Sequence, residues 1–379
     1  MNFELSEEHK MIRDAARDFA QTELLPGVIE RDEAQKFPTE QIKKLGELGF
    51  LGMMVDPKYG GAGMDTISYV LAMEEISKVD ASASVIMSVN NSLVCWGIET
   101  FGTESQKEKY LKPLATGEII GAFCLSEPEA GSDATSQQTT AIDKGEHYLL
   151  NGTKNWITNG NTASVYLVIA QTDVEKGHKG INAFIVEKGM EGFVVGLKEN
   201  KLGIRGSDTH SLMFTDVKIP KENRIGEDGF GFTFAMKTLS GGRIGIAAQA
   251  LGIASGAYEL ALQYSKERKA FGKEISKHQA IAFKLADMAT EIEAARLLCL
   301  KAAWLKDNGK NYDKIGAMAK VFASETAMKT TVEAVQVHGG YGFVKEYHVE
   351  RLMRDAKITQ IYEGTSEIQR IVISRSILN

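Results

Sequence analysis

A chain of 379 residues with 43% hydrophobic and 25% charged residues has the make-up of a soluble globular protein, too long for one ordinary core, and two or three domains are expected. A formal net charge of −6 argues against the basic face that a nucleic-acid binder needs and fits an acidic cytoplasmic enzyme. The cysteines, Cys95, Cys124 and Cys299, are too widely spaced for a disulfide framework or a CxxC metal site, so a reducing compartment and no bound metal are expected.

The N-terminus, from Met1 to Glu8, carries early acids and no apolar core, which predicts no signal peptide. From Ser6, a candidate cap, Met11, Ile12, Ala15, Ala16 and Phe19 recur at helical spacing as far as Pro26. The pattern restarts after Phe37-Pro38-Thr39, with Ile42, Leu45 and Leu48 on one face and Gly49 as the stop. Tyr59 to Gly63 is glycine-rich but has neither dinucleotide-fingerprint spacing nor Gly-Lys-Ser/Thr. It reads as a loop before a helix over Tyr69 to Ser77.

Around Ile119 the period changes. Gly121 to Ser126, His147 to Asn151, Ser164 to Ala170, Ile181 to Glu187, Phe193 to Lys198 and Ser211 to Ile219 are short, rich in Val, Ile, Phe and Tyr, and separated by Gly, Asp and Asn. With no helix between them they predict an antiparallel barrel or sandwich. From Phe232 the helical period returns almost to Asn379. The chain is therefore read as α+β, with a helical domain over 1–118, a β domain over 119–231 and a helical domain over 232–379. Only Ile244 to Leu262 approaches membrane-span length, and its Gln249, Ser255 and Glu259 predict a closely packed buried helix instead.

Five stretches carry candidate chemistry. In Phe123-Cys124-Leu125-Ser126-Glu127-Pro128-Glu129-Ala130-Gly131-Ser132-Asp133, Pro128 and Gly131 force a turn that offers backbone N–H groups and hydroxyls to a ligand, or simply ends a strand. Asn151-Gly152 is a hairpin signal that puts Trp156 in the following strand, where its ring can cover a flat cofactor or fill a core, with the Thr158 hydroxyl on the same side. Arg268-Lys269-Ala270-Phe271-Gly272-Lys273, followed by Gln279, is either a solvated helix end or a diphosphate clamp. In Gln336-Val337-His338-Gly339-Gly340 the glycines permit close backbone approach, and His338 reads as structural. Tyr362-Glu363-Gly364-Thr365-Ser366-Glu367-Ile368-Gln369-Arg370 sets an acid on a glycine turn at the mouth of a helix that Thr365 or Ser366 caps and Ile368, Ile371 and Val372 bury. There Glu363 is either a surface glutamate or a general base.

Taken together, Ser126-Glu127-Pro128 with Gly131-Ser132-Asp133, the Trp156 stretch, the Arg268 stretch, the 336–340 glycines and Tyr362-Glu363-Gly364-Thr365 resemble the acyl-CoA dehydrogenases over nearly the whole chain. The resemblance implies a helical domain, a central antiparallel β-barrel and a C-terminal four-helix bundle. It implies Glu363 as the base that takes the α proton, with its own backbone N–H and a ribityl hydroxyl of FAD holding the thioester oxygen. It assigns Phe123, Leu125, Ser126, Gly131, Ser132, Trp156, Ile157 and Thr158 to the flavin, with Thr365 and Glu367 beside it. Arg268, Phe271 and Gln279 would serve the FAD of a neighbouring copy in a homotetramer, and Gln336, Gly339 and Gly340 would admit the adenosine part. Ser132, Ser240, Arg243, Gly364 and Arg375 would face the acyl-CoA, and an electron-transfer flavoprotein would take the electrons.

Departures narrow the substrate. Ser240 stands where short-chain members often have Asp, and Ser84 stands where glutaryl-type members have an Arg for a distal carboxylate. Glu363 argues against the isovaleryl-type branch, which moves the base elsewhere. The resemblance thus implies a butyryl-like enzyme preferring C4 to C6 chains. A branched, cyclic or dicarboxylic substrate, a flavin oxidase of the same fold and an idle acyl-CoA-binding scaffold are the alternatives.

Overall fold

The computed structural model describes residues 4–378; Met1 to Phe3, which enter the reading of the N-terminus, and Asn379 lie outside them. Helix α1 (Glu7–Phe19) starts where expected, with the Ser6 hydroxyl accepting from His9 N at 3.1 Å, and buries Ile12, Ala16 and Phe19. The first block continues through α2 (Val28–Glu33), α3 (Thr39–Glu47), α4 (Thr66–Val79), α5 (Ala81–Ser88), α6 (Trp96–Phe101), α7 (Glu104–Gln106) and α8 (Lys112–Ala115). A π-helical segment, Val89–Cys95, joins α5 to α6. The resulting helix, Ala81–Phe101, is a second stretch of span length that the sequence reading passed over, and 94% of its apolar window is buried in the protein. Its Asn90 and Asn91 side chains hold the Leu51, Leu114 and Phe50 carbonyls, which is core chemistry.

Strands β1 (Gly121–Cys124), β2 (Thr140–Asp143), β3 (His147–Thr158), β4 (Val165–Gln171), β5 (Ile181–Glu187), β6 (Phe193–Lys198), β7 (Thr209–Pro220) and β8 (Arg224–Ile225) form one sheet. Its order is β6-β7-β3-β2-β4-β5-β8, with β1 added on β4. The pairing is antiparallel except beside β4, where β1 and β2 run parallel to it. The sheet curls around its own core, in which Tyr148 of β3 meets Phe184 of β5 and Tyr166 of β4 meets Phe193 of β6, each pair with ring centroids 4.8 Å apart. The other face of β4 and β5, with Leu167, Ile169, Ala183 and Ile185, packs into the helical core, so both faces of β4 are buried.

The expected hairpin at Asn151-Gly152 is not there. Both residues lie inside β3, which runs on to Thr158 with a register shift between Leu150 and Gly152. Gly152 has φ +141°, and a Cβ there would lie 2.6 Å from Thr139 Oγ1. The glycine marks close approach of another strand, which local sequence cannot distinguish from a turn.

The last block is α9 (Gly231–Glu267), a small hairpin of β9 (Lys269–Ala270) and β10 (Lys273–Glu274), then α10 (Gln279–Asp307), α11 (Asp313–His338), α12 (His348–Ala356) and α13 (Ser366–Leu378). Helix α9 packs against α4 at backbone contact. A Cβ at Gly252 would lie 2.3 Å from Glu74 O, and one at Gly256 would lie 2.4 Å from Lys78 O. The apolar window of α9 is 83% buried, as a core helix requires. On α13 the expected burial fails: Ser366 and Gln369 are its buried residues, while Ile371 is exposed.

Candidate active site

Glu363 and Gly364 hold consecutive left-handed conformations, φ +51° and +91°, between the end of the α12 region and α13. Thr365 caps the helix, its hydroxyl accepting from Ile368 N at 3.3 Å. Gln369 donates back to the Glu363 and Gly364 carbonyls at 3.2 and 2.9 Å, and Lys320 Nζ of α11 donates to Gly364 O at 2.5 Å. A left-handed backbone is costly for a glutamate, so these contacts hold a strained turn. Its effect is to press the carboxyl onto α9 at Gly242, where a Cβ would fall 2.0 Å from Glu363 Oε2.

Oε2 is buried and has no hydrogen-bond partner, although the residue as a whole keeps some surface at the turn. Burial raises the carboxyl pKa, Lys320 and Arg243 oppose it, and the result is about 7 against an ordinary 4.5. Such a group is a base poised for neutral pH. The rate of a proton transfer to this group should therefore rise with pH through about 7 and then level off, as single-turnover kinetics would show. The linkage has the opposite sign. A raised carboxyl pKa gives stability that is full below 4.5 and lost as pH rises through about 7, so melting curves should show that loss in the unliganded protein and not in Glu363→Gln.

Beyond Arg243 along α9, the surroundings of Gly245 and Gln249 are polar and uncharged. Gly245 makes room for Tyr69 of α4, whose hydroxyl donates to Ser88 Oγ at 2.9 Å. Further on, Gln249 donates to Ser84 Oγ at 3.1 Å and Ala81 O at 2.9 Å, and the Tyr362 hydroxyl donates to Gln249 Oε1. Ser84 is fully buried with its hydroxyl on Ala81 O. Of the other residues named from sequence, Arg243 is buried, with Nη1 3.4 Å from the Ser240 hydroxyl. Arg375 and Glu367 are exposed on α13.

The two β-domain motifs meet. Lys154, fully buried in β3, donates to Leu125 O at 3.0 Å, to Glu127 Oε1 at 2.7 Å and to Gln137 Oε1 at 3.2 Å. Asn155 N donates to Ser126 O at 2.9 Å. Burial alone would raise the Glu127 pKa, but Lys154 and N–H groups of Gln138 and Thr139 hold it below the usual carboxylate range. This buried pair fixes the 123–126 segment beside Trp156, Ile157 and Thr158. Trp156 sits on a bulge of β3 with φ +62° and is 61% exposed, Ile157 is buried, and Thr158 is half-buried. Gly131 and Ser132 are exposed on the turn.

A second group gathers elsewhere. Arg268, Gly339 and Gly340 line a cavity of about 770 Å³ with Tyr264, His338 and Tyr341. His338 stacks on Tyr264 at 4.3 Å and donates from Nδ1 to Ala334 O at 2.8 Å, the structural role expected of it. Phe271 is 96% exposed with φ +51°, and Gln279 and Gln336 are exposed at helix ends. Among the described residues no hydrogen bond, ion pair or ring contact joins this group to the Trp156 group. Sequence reasoning missed Gly242, Gln249, Lys154 and Lys320. The last had a signal, because Lys320 falls on the stripe of buried Gly316, Ala317, Ala323 and Ala327.

The chain is helical, then β, then helical, with a near-neutral carboxyl on a strained turn and an exposed Trp on a strand bulge. The domain descriptions "Acyl-CoA dehydrogenase, N-terminal domain", "middle domain" and "C-terminal domain" match residues 6–118, 122–217 and 229–378. The chain is 53% identical, over all of both chains, to a short-chain specific acyl-CoA dehydrogenase of Clostridium acetobutylicum. It is 50% identical to a subunit of the caffeyl-CoA reductase–Etf complex of Acetobacterium woodii, over 98% of this chain and 99% of that one. It superposes on the butyryl-CoA dehydrogenase of Megasphaera elsdenii with a TM-score of 0.99 at 51% identity, over all of both chains. The chain belongs to the acyl-CoA dehydrogenase family, and it is an oxidoreductase.

Proposed function

We propose that this enzyme removes the α proton and β hydride of a short-chain acyl-CoA, giving the trans-2-enoyl-CoA, with FAD as cofactor and an electron-transfer flavoprotein as outlet. The observation that carries the reading is the Glu363 carboxyl, with Oε2 buried and without a hydrogen-bond partner and a near-neutral pKa. A carboxylate in water is a weak base toward carbon, and desolvation against Gly242 strengthens it. Glu363 takes the α proton at its carboxyl, with Tyr69, Tyr362, Lys320 and Arg243 as the titratable groups around it.

The chain's residues fit a flavin dinucleotide. Trp156 offers a flat ring held outward by its bulge, with Thr158 two residues on and the Ser126 carbonyl bonded to Asn155 N before it. At Gly339 and Gly340 a Cβ would meet nothing within 4 Å, so the cavity wall they share with Arg268 is open for a diphosphate and its adenosine. When bound, FAD supplies the two-electron acceptor for the β hydride. The separation of this cavity from the Trp156 group supports its service to a neighbouring copy in a homotetramer, and two relatives' names that mention electron-transferring flavoprotein support that outlet. The buried, unpaired cysteines and the bacterial relatives support a cytoplasmic setting.

The names of the short-chain relatives support a short acyl group. Ser84, bonded to the uncharged Gln249, offers no cation for a distal carboxylate. Anaerobic bleaching of the flavin absorbance by a panel of straight, branched, cyclic and dicarboxylic acyl-CoAs tests this. The highest kcat/KM is expected for C4 to C6, and preference for glutaryl-CoA or for chains beyond about C8 would overturn the substrate assignment.

A further inference from the structure

The lysine under the active-site turn carries more than the fold requires. Lys320 is fully buried on α11, yet among the described residues no carboxylate lies within ion-pair distance of its ammonium. A buried ammonium without a paired carboxylate is costly, and a methionine of similar length would fill the same slot without that cost. Its hydrogen bond goes to Gly364 O, the residue next to the base, at 2.5 Å. Gln369 already donates to the same carbonyl at 2.9 Å, so the turn does not need Lys320 for satisfaction alone.

We propose that Lys320 is the positioning residue of the base: its ammonium pins the left-handed turn and supplies the counter-charge that lets the unpaired Glu363 carboxylate ionise beside Gly242. The inference rests on the reading of Glu363 as base. The charges that act on Lys320 are Glu363 and Glu367, which favour its cationic form, and Arg243 of α9, which opposes it. Burial dominates and lowers its pKa to about 8, so at neutral pH it is still cationic. On Glu363 it is the larger of the two cationic influences, ahead of Arg243, while the Tyr69 and Tyr362 hydroxyls complete the surroundings.

The test is the pH profile of single-turnover flavin reduction by butyryl-CoA in the holoenzyme, for wild type, Lys320→Met, Lys320→Arg and Glu363→Gln. Lys320→Met should keep its flavin and a near-native melting curve, and should move the rising midpoint alkaline by about one unit, which is about tenfold slower below the midpoint. Lys320→Arg keeps the charge and should bring the midpoint back. A Lys320→Met profile that overlies wild type, with Glu363→Gln inactive, would overturn the inference alone; an active Glu363→Gln would instead remove the base assignment beneath it. If the lysine variants do not fold, coupling still decides, because it is reciprocal. Burial lowers Lys201, Lys306 and Lys320 each to about 8, so lysine side-chain NMR titrations should show three early resonances. In Glu363→Gln one of these three should move to lower pH while two stay, and three unmoved resonances would overturn the proposal.

Discussion

Glu363→Gln is expected to retain FAD and acyl-CoA binding while slowing flavin reduction by at least about 10³-fold, the scale of a lost general base. The amide has the shape of the carboxyl and meets the same wall at Gly242, so the turn held by Lys320, Gln369 and Thr365 has no reason to move. The same substitution should stabilise the unliganded protein at pH above about 7, where the wild type must ionise a buried, unpartnered carboxyl, and should change little near pH 5, where that carboxyl is already neutral. Stopped-flow bleaching by butyryl-CoA reports the first effect and melting temperature against pH the second. Near wild-type bleaching would take Glu363 out of the chemistry.

Gly242→Ala should separate activity from stability in a different way. Its Cβ would lie 2.0 Å from Glu363 Oε2 and 2.8 Å from Leu93 Cδ2. Both are the ends of side chains, which can shift, and alanine gains about 1 kcal/mol of helix propensity over glycine inside α9. The fold should therefore tolerate the methyl group with little change in melting temperature. The base cannot yield without leaving its position, and a displacement of about 1 Å is worth about 10²-fold in rate. Unchanged single-turnover rates would mean that the carboxyl does not react from its place against α9. A collapse of the melting temperature would mean that the methyl group meets something that cannot give way.

The sequence alone determined what is set by neighbours along the chain. Ser6 caps α1 because its hydroxyl reaches an N–H three residues on, and β5 and β6 begin and end where short apolar runs meet turn residues. The family resemblance was legible because its motifs are contiguous: Tyr362-Glu363-Gly364-Thr365 is a turn and a cap, and a turn and a cap are local objects. What the chain could not disclose was set by residues far along it. Gly152 reads as a hairpin until Thr139 is found against it, and Ile371 reads as core until the α13 surface is seen to lie open. Gly242 is one small residue among many in α9 until the carboxyl from the other end of the chain is packed onto it. Lys320 is one more charge on a helix until burial strips its water and leaves Gly364 O and the Glu363 field as its surroundings. Local hydrogen bonding and periodicity act over a few residues and are written in order. Desolvation and steric contact depend on what tertiary packing brings from elsewhere, and here they set the raised pKa of Glu363 and its place against α9.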